Sequence, residues 1–278
     1  MKKYLFLPIA FLVFSVACKK NSEPTGELEK VYAATGQYAV SEVEVGDDLY
    51  KIYYPAPLPG NHPVVAWGNG TGAQPKNYDG IFRHLASWGF VVIDSYSKNT
   101  GTGSEVLASA EYLISENSNA SGIFYNKIDV NRIGAVGHSQ GAAGVLNAHT
   151  DYANGGIFKT VVTIALPSPN LTNPEHEYNT ADVSTSLFLL SGTNDGLISP
   201  KKSNREAFEN TSDALPAAMA MAIGAGHNVI LKDGGKHRGY LTAWLRYRLA
   251  NDMQARQAFV NEIQNNDTWT EVRTQNIN

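Results

Sequence analysis

The sequence predicts an α/β domain built on a mostly parallel central sheet flanked by helices. Short apolar or β-branched segments alternate with helical patterns from Gln37 onward, as in parallel strands joined by helical connections. The apolar segment 133–136 runs directly into the glycine-rich pentapeptide GHSQG at 137–141, which indicates a sharp turn from a strand into a helix. With 278 residues and 43% hydrophobic content, the chain is long enough for one domain with a substantial core.

The folded domain is predicted to span residues 37–278. Segments 37–45 and 49–54 alternate apolar and polar residues, which favours an antiparallel edge hairpin. The other predicted strands are short apolar runs typical of a buried sheet, at 64–67, 90–94, 133–136, 161–165, 186–190 and 217–223. Helical patterns follow at 78–87, 106–115, 140–147 and 240–249. The polar stretch 170–184 is predicted to be a loop that borders the functional site.

Residues 1–17 are predicted to be a signal peptide. Two lysines precede an apolar stretch at 4–16 that is well suited to export and too short to span a bilayer as a mature helix. The only cysteine, Cys18, follows the residues SVA at 15–17, which resemble the lipobox of bacterial lipoproteins. A lone thiol cannot form an intrachain disulfide, and this favours lipidation over an incidental cysteine behind an ordinary signal peptide.

Residues 18–36 are predicted to be a lipidated cysteine followed by a flexible tether, because the stretch is rich in polar residues and glycine. We therefore expect an exported protein anchored to a membrane of a bacterial envelope through a lipid on Cys18. It would face the periplasm or the cell surface.

The GHSQG pentapeptide fits the G-x-S-x-G pattern of a nucleophile elbow. In this turn a strand changes abruptly into a helix and leaves the serine, here Ser139, exposed on a strained corner. Gly137 and Gly141 carry no Cβ, so the strand and the following helix can approach closely. A chance glycine turn is the alternative, and the apolar strand before it and the small-residue helix after it argue against that interpretation.

A serine hydroxyl needs a histidine base and a carboxylate that orients the histidine. The hydrolase order along the chain is serine, acid, histidine, so the base is one of His149, His176, His227 and His237. His227 is preferred because it lies in a glycine-rich turn just after the last predicted strand, at 217–223. His237 is the alternative base, and it could instead be a solvated histidine beside the last helix.

Asp195 is the preferred acid because it follows the strand at 186–190, at the carboxyl edge where α/β proteins form their sites. It could also be an ordinary turn aspartate in the sequence NDG. Asp182 and Asp213 are weaker candidates, since neither closes an apolar strand.

An ester-cleaving site also needs amide donors for the oxyanion of the tetrahedral intermediate. The backbone N–H of Gln140, directly after the nucleophile, is the first expected donor. The second is expected from the loop GNGTG at 68–72, where we select the N–H of Thr71. A phosphate-cradling loop is a rival interpretation, but the Lys-Ser/Thr ending of a P-loop is missing.

With these residues placed, the chain resembles the bacterial polyesterase-lipase-cutinase family of α/β-hydrolases, which includes poly(ethylene terephthalate) hydrolases. The resemblance covers about residues 64–259 and rests on the elbow together with HLASWGFVV at 84–92, YNKIDVNR at 125–132, AWL at 243–245 and ND at 251–252. It implies an α/β-hydrolase fold and a serine hydrolase. It also implies Ser139 as nucleophile, Asp195 as acid, His227 as base, and Gln140 and Thr71 as oxyanion donors, in agreement with the assignments from the residues.

The sequence departs from the family at several positions. Thr71 stands where the family usually has an aromatic residue, and LPS at 166–168 stands where it has a tryptophan. In the family these two aromatics grip an aromatic acyl group. Gln140 replaces a frequent methionine, and the carboxy-terminal disulfide of many members is absent because Cys18 is the only cysteine.

The leading hypothesis is therefore a lipoprotein that hydrolyses carboxylic esters through an acyl-serine intermediate, with polyester or lipid-like esters as candidate substrates. We expect a monomer that needs neither a metal nor an organic cofactor. A net charge of -4 without basic runs argues against a nucleic-acid partner. The alternatives are a carbohydrate esterase that removes acetyl or feruloyl groups, and a non-catalytic binding lipoprotein of the same fold.

Overall fold

The computed structural model describes residues 25–277, and their nine strands form a single sheet. The strands are β1 (Ala39–Val45), β2 (Tyr50–Ala56), β3 (His62–Gly68), β4 (Val91–Ser95), β5 (Ile128–His138), β6 (Phe158–Ile164), β7 (Ser186–Gly192), β8 (Ala217–Ala222) and β9 (Trp269–Gln275). The helices are α1 (Glu27–Ala33), α2 (Asp79–Ser87), α3 (Ser104–Glu116), α4 (Gln140–Thr150), α5 (Lys201–Glu209), α6 (Arg238–Ala250) and α7 (Met253–Gln257).

The order of strands across the sheet is β1-β2-β4-β3-β5-β6-β7-β8-β9. The six strands β3 to β8, which are neighbours in the sheet, are mutually parallel. The antiparallel pairs lie at the two sides, where β1 pairs with β2, β2 with β4, and β8 with β9. This arrangement confirms the predicted fold class, a mostly parallel sheet of the α/β-hydrolase type.

Helices cover both faces of the sheet. Because successive strand residues point to opposite faces, Val65 and Trp67 of β3 belong to one buried apolar cluster and Val64 and Ala66 to the other. The first cluster contains the apolar side chains of α2 and α6, and the second contains those of α3 and α4. Since both faces are covered, the parts of the parallel strands that lie between the helices are apolar, which explains apolar runs such as 64–67 and 133–136 in the sequence.

The amino-terminal part of the domain differs from the prediction. Residues 27–33, predicted as the end of a flexible tether, form α1, which packs on α6. The buried carboxylate of Glu29 accepts hydrogen bonds from Asn266 Nδ2 at 2.7 Å and from Trp269 Nε1 at 2.9 Å. The tether prediction is therefore wrong over these residues, and the folded domain begins before Gln37. The predicted signal peptide and Cys18 lie outside the described residues.

Two further elements were not predicted. Helix α5 has the sequence KKSNREAFE, and only three of its residues are buried. Apolar residues are therefore too few to show a helical period in the sequence. The sequence of β9, WTEVRTQ, is largely polar because the strand lies at the edge of the sheet, where one side has no neighbouring strand. Within residues 25–277, no helix combines the length and the apolar character that crossing a membrane requires.

Candidate active site

Ser139 lies at the turn between β5 and α4. Its backbone has φ 55° and ψ −122°, a conformation that residues with a side chain rarely adopt. Two backbone hydrogen bonds hold it: the Ser139 N–H donates to Ile164 O at 2.9 Å, and Ser139 O accepts from the Ala142 N–H at 2.8 Å. The strained corner therefore has the geometry expected of a nucleophile elbow.

The elbow depends on close backbone contact around its glycines. A Cβ on Gly137 would lie 2.0 Å from Gly141 O, and a Cβ on Gly141 would lie 2.1 Å from Gly68 O. Neither space can hold a carbon atom. The first turn of α4 therefore rests directly on the end of β3, and this brings Ser139 beside the loop at 68–72.

The three residues predicted to act together lie in a line. His227 Nε2 is 2.9 Å from Ser139 Oγ, and His227 Nδ1 is 2.7 Å from Asp195 Oδ2. A carboxylate only accepts hydrogen bonds, so Nδ1 carries the proton of the neutral ring and Nε2 presents its lone pair to the serine hydroxyl. The Asp195 side chain is 2% exposed and that of His227 is 25% exposed, so the carboxylate is enclosed while the imidazole reaches the surface of the cleft.

The loops that carry Asp195 and His227 support each other. Asp195 follows β7 in a turn in which its N–H donates to Gly192 O at 3.1 Å, and the Asn194 N–H donates to Ala225 O at 2.9 Å. A Cβ on Gly192 would lie 2.2 Å from the same Ala225 carbonyl oxygen. The turn after β7 and the turn after β8, which leads to His227, are thus packed backbone to backbone at the carboxyl edge of the sheet.

The other histidines considered as the base lie elsewhere. His237 is 1% exposed and its Nε2–H donates to Ser191 O at 3.0 Å, so it is a core residue rather than a solvated one. Its burial lowers the pKa of the ring to about 4. His149 is buried on α4 with Nδ1 3.1 Å from Gly155 O. The predicted loop contains His176, which lines a cavity beside Ser139 without bonding to it. Among these four, the structure brings only His227 to the serine.

The predicted oxyanion donors both border the nucleophile. Within the described residues, neither the Thr71 N–H nor the Gln140 N–H donates to another protein group. Thr71 and Gln140 line one cavity together with Ser139. The loop at 68–72 is fixed from behind, since Asn69 Nδ2 donates to Ser95 O at 2.8 Å and Thr100 Oγ1 donates to Asn69 O at 2.8 Å. Among the described residues, the two amides beside Ser139 therefore have no hydrogen-bond acceptor.

Two cavities flank Ser139. One of about 320 Å³ is bordered by the predicted loop, which contributes Leu171, Thr172, Asn173 and His176. This loop contains short 3₁₀ turns at Pro169–Leu171, Pro174–His176 and Thr180–Asp182. The other cavity, of about 310 Å³, lies on the side of His227 and Tyr78. An ester whose carbonyl sits at Ser139 thus has space for a group on each side.

Sequence reasoning missed His138 as a residue beside the site, and it did not predict that Tyr78 would lie against it. His138 is the second residue of the elbow, and Tyr78 Oη lies 3.0 Å from His138 Nδ1. The histidine inside the elbow was the signal in the sequence that a hydrogen bond could form beside the serine. Trp67, on the strand before the loop at 68–72, is fully buried in the core and does not reach the cleft. Within residues 25–277, no group of three or more histidine, cysteine and acidic side chains is arranged to hold a metal ion.

The sheet, the elbow on its central strand and the residues at its carboxyl edge define an α/β-hydrolase. A family model described as PETase, PET hydrolase-like, matches residues 16–277. The chain therefore belongs to the PET hydrolase-like family, which confirms the resemblance found in its motifs. It is accordingly an ester hydrolase of the α/β-hydrolase type.

Proposed function

We propose that the protein hydrolyses carboxylic esters through an acyl-enzyme formed on Ser139. The observation that carries the proposal is the unbroken line from Asp195 through His227 to Ser139, with hydrogen-bond distances of 2.7 and 2.9 Å. Two backbone amides without other partners border the same serine, which supports stabilisation of an oxyanion there.

In the first half of the reaction, Ser139 Oγ attacks the ester carbonyl carbon while His227 Nε2 accepts the hydroxyl proton. The amides of Thr71 and Gln140 donate to the oxyanion that forms. The intermediate then collapses, the bond to the alcohol oxygen breaks, and the alcohol leaves with the proton from His227. The Asp195 carboxylate stabilises the imidazolium while it exists and keeps the ring in one tautomer.

In the second half, a water molecule takes the place of the alcohol. His227 Nε2 accepts a proton from the water as its oxygen attacks the acyl carbon. The second tetrahedral intermediate collapses, the bond to Ser139 Oγ breaks, and the proton returns to the serine. The carboxylic acid then leaves, and the enzyme is restored without a metal or an organic cofactor in the scheme.

A second candidate function, removal of acyl groups from carbohydrates, is favoured by the cavity on the side of Gln140. Thr71 takes the place of the aromatic residue usual in the family, and Thr172 and Asn173 add polar groups to the lining. The polar side chains in the lining of this cavity, which has a volume of about 320 Å³, can form hydrogen bonds with the hydroxyl groups of a carbohydrate ester.

The experiment that tests the proposed function is labelling with a fluorophosphonate followed by peptide mass analysis. We expect a single phosphonyl adduct on Ser139 in the folded protein and none after unfolding, because the serine is nucleophilic only beside His227. No adduct on the folded protein would reject the acyl-enzyme mechanism and favour the non-catalytic binding lipoprotein. A panel of acetyl to long-chain esters, acetylated xylan and an aromatic polyester film then separates the substrate classes.

We also propose that the protein is exported and anchored through a lipid on Cys18. The support is the apolar stretch at 4–16 and the lone cysteine behind it. Helix α1, which is packed on the domain, begins nine residues after Cys18. Nine residues span at most about 30 Å, so the anchor would hold the domain near the membrane surface.

The Cys18→Ser variant tests the anchor. We expect the mature variant in the soluble fraction and the wild-type protein in the membrane fraction, because lipidation requires the thiol. Detergent-sensitive membrane association of the variant equal to that of the wild type would contradict the proposal. Ester hydrolysis serves as the control, since Cys18 precedes the packed helix α1 and both forms should retain it.

A further inference from the structure

His138 and Tyr78 form a chain of hydrogen bonds between the two loops that flank Ser139, namely the loop at 68–72 and the loop that carries His227. The Gly70 N–H donates to Tyr78 Oη at 3.0 Å, and Tyr78 Oη lies 3.0 Å from His138 Nδ1. At the other end, His138 Nε2 lies 2.9 Å from the backbone oxygen of His227. The chain thus begins at the residue before Thr71 and ends at the base itself.

The direction of every bond in this chain is fixed. The carbonyl oxygen of His227 can only accept, so His138 Nε2 carries a proton. In a neutral ring Nδ1 then accepts, so Tyr78 Oη donates to it and accepts from the Gly70 N–H. Burial, reinforced by the nearby charge of His227, lowers the pKa of His138 to about 3, and burial raises the pKa of Tyr78. Neither group changes its protonation at neutral pH.

The packing around the chain is tight. His138 is 3% exposed and Tyr78 is fully buried. The rings of His138 and His227 have their centroids 5.0 Å apart. A Cβ on Gly70 would lie 3.0 Å from His138 Nδ1 and 3.2 Å from Tyr78 Oη. Glycine therefore lets the loop at 68–72, called the oxyanion loop from here on, pack against both side chains. The two loops are therefore connected through closely packed, buried side chains.

We propose that His138 and Tyr78 are positioning residues that set the distance between the oxyanion loop and His227 across the nucleophile. The inference rests on the proposed acyl-enzyme function. Neither side chain is placed to exchange a proton with the substrate, because every polar atom of the chain is already engaged. Both act through the backbone of other residues: Tyr78 through Gly70, and His138 through His227.

The test is kcat per active site in Tyr78→Phe and His138→Leu, with sites counted by fluorophosphonate titration run to completion. We expect kcat to fall about 10- to 100-fold in each variant with KM within about twofold of the wild type, because misplacement of the loops slows the chemical step more than binding. The double variant should lose less than the product of the two single losses, since both side chains belong to one chain. His138→Gln should recover part of the rate, because its amide can still donate to the His227 carbonyl.

Two matched controls separate positioning from loss of a buried polar contact. Tyr240 is buried, and its hydroxyl lies 3.1 Å from Glu262 Oε1 and 2.9 Å from Asn266 Nδ2. His84 is buried between Tyr32 O and Thr242 Oγ1, each 3.0 Å from its Nε2. Tyr240→Phe and His84→Leu should lower thermal stability without changing kcat per titrated site.

Two outcomes overturn the inference: a kcat per site within about twofold of the wild type in Tyr78→Phe and His138→Leu, or an equal loss in the controls. Failure of the proposed function is a separate result, because it appears as an unlabelled Ser139 in the wild-type protein. Labelling of the wild type with unaltered kcat in both variants would leave the acyl-enzyme mechanism in place and remove the positioning role.

Discussion

The Ser139→Ala variant is expected to lose ester hydrolysis by a factor on the order of 10⁶ in kcat. In the wild type His227 Nε2 lies 2.9 Å from Ser139 Oγ, and in the variant a methyl group leaves it without a hydroxyl to activate. The amides of Thr71 and Gln140 remain, so a residual acceleration of roughly 10³ over the uncatalysed reaction should persist. Initial rates on a short p-nitrophenyl ester measure both quantities.

A matched control for this variant is Ser115→Ala. Ser115 is exposed on α3, far from the elbow in sequence, and alanine suits a helix. Its kcat should equal that of the wild type. If Ser139→Ala turned over the ester at a rate within tenfold of the control, the nucleophile would have to be another group, and the proposed mechanism would be wrong.

The Ser139→Ala variant also tests whether Ser139, His227 and Asp195 act as a unit. Asp195→Asn alone should lower kcat about 10⁴-fold, because an amide favours the wrong tautomer of His227. Added to Ser139→Ala, the same change should cost nothing further, since the base has no hydroxyl left to serve. A double variant slower than Ser139→Ala alone would show that Asp195 acts independently of the serine.

The placement of Ser139, Asp195 and His227 could be predicted because each follows an apolar strand and carries a local turn signal. Their strands β5, β7 and β8 belong to the parallel part of the sheet, and parallel strands bring their carboxyl ends to one edge. Sequence order then reduced the possible bases. Local pattern and fold class were together sufficient for this part of the site.

The hydrogen-bond chain through His138 could not be predicted in the same way. It joins Gly70, Tyr78, His138 and His227, which are separated by up to 157 positions in the chain, and no local pattern reports which of them meet. Helix α1 was missed for the same reason. Its seven residues are too few to show a helical period, and Glu29 finds its partners more than 230 positions away.

The burial of His237 also depends on a contact between distant residues that the local sequence does not indicate. Its sequence neighbours are glycine, lysine and arginine, which suggest solvent, yet the side chain is buried against Ser191 O. The hydrogen bond to a strand carbonyl satisfies Nε2 inside the core. Burial of a polar side chain depends on a partner from another element, and a single sequence segment does not contain that partner.

The Gly141→Ala variant is the second change with a large expected effect. A Cβ at this position would lie 2.1 Å from Gly68 O and 2.7 Å from Asn69 O, and both are backbone atoms that no rotamer change can move. Helix α4 and the oxyanion loop must therefore separate. We expect the free energy of unfolding to fall by about 3 kcal/mol, at the upper end of typical overpacking costs.

The same displacement should affect catalysis beyond its effect on stability. Gln140 directly precedes Gly141, and Thr71 lies on the loop that the new methyl group pushes away, so the two amides no longer converge on one point. Loss of one oxyanion donor costs roughly 10²- to 10³-fold in kcat, and we expect a loss of this size in kcat per titrated site. Urea unfolding and active-site titration on the same preparation measure the two effects separately.

Gly196→Ala is the matched control, because Gly196 directly follows the acid Asp195 and yet a Cβ there would meet no atom within 4 Å. It should retain the urea midpoint and the kcat per site of the wild type. If Gly141→Ala were equally stable and equally active, α4 and the oxyanion loop would be able to separate by more than 1 Å without consequence. The rigid backbone contact at the elbow, on which both the oxyanion site and the hydrogen-bond chain through His138 depend, would then have no role in catalysis.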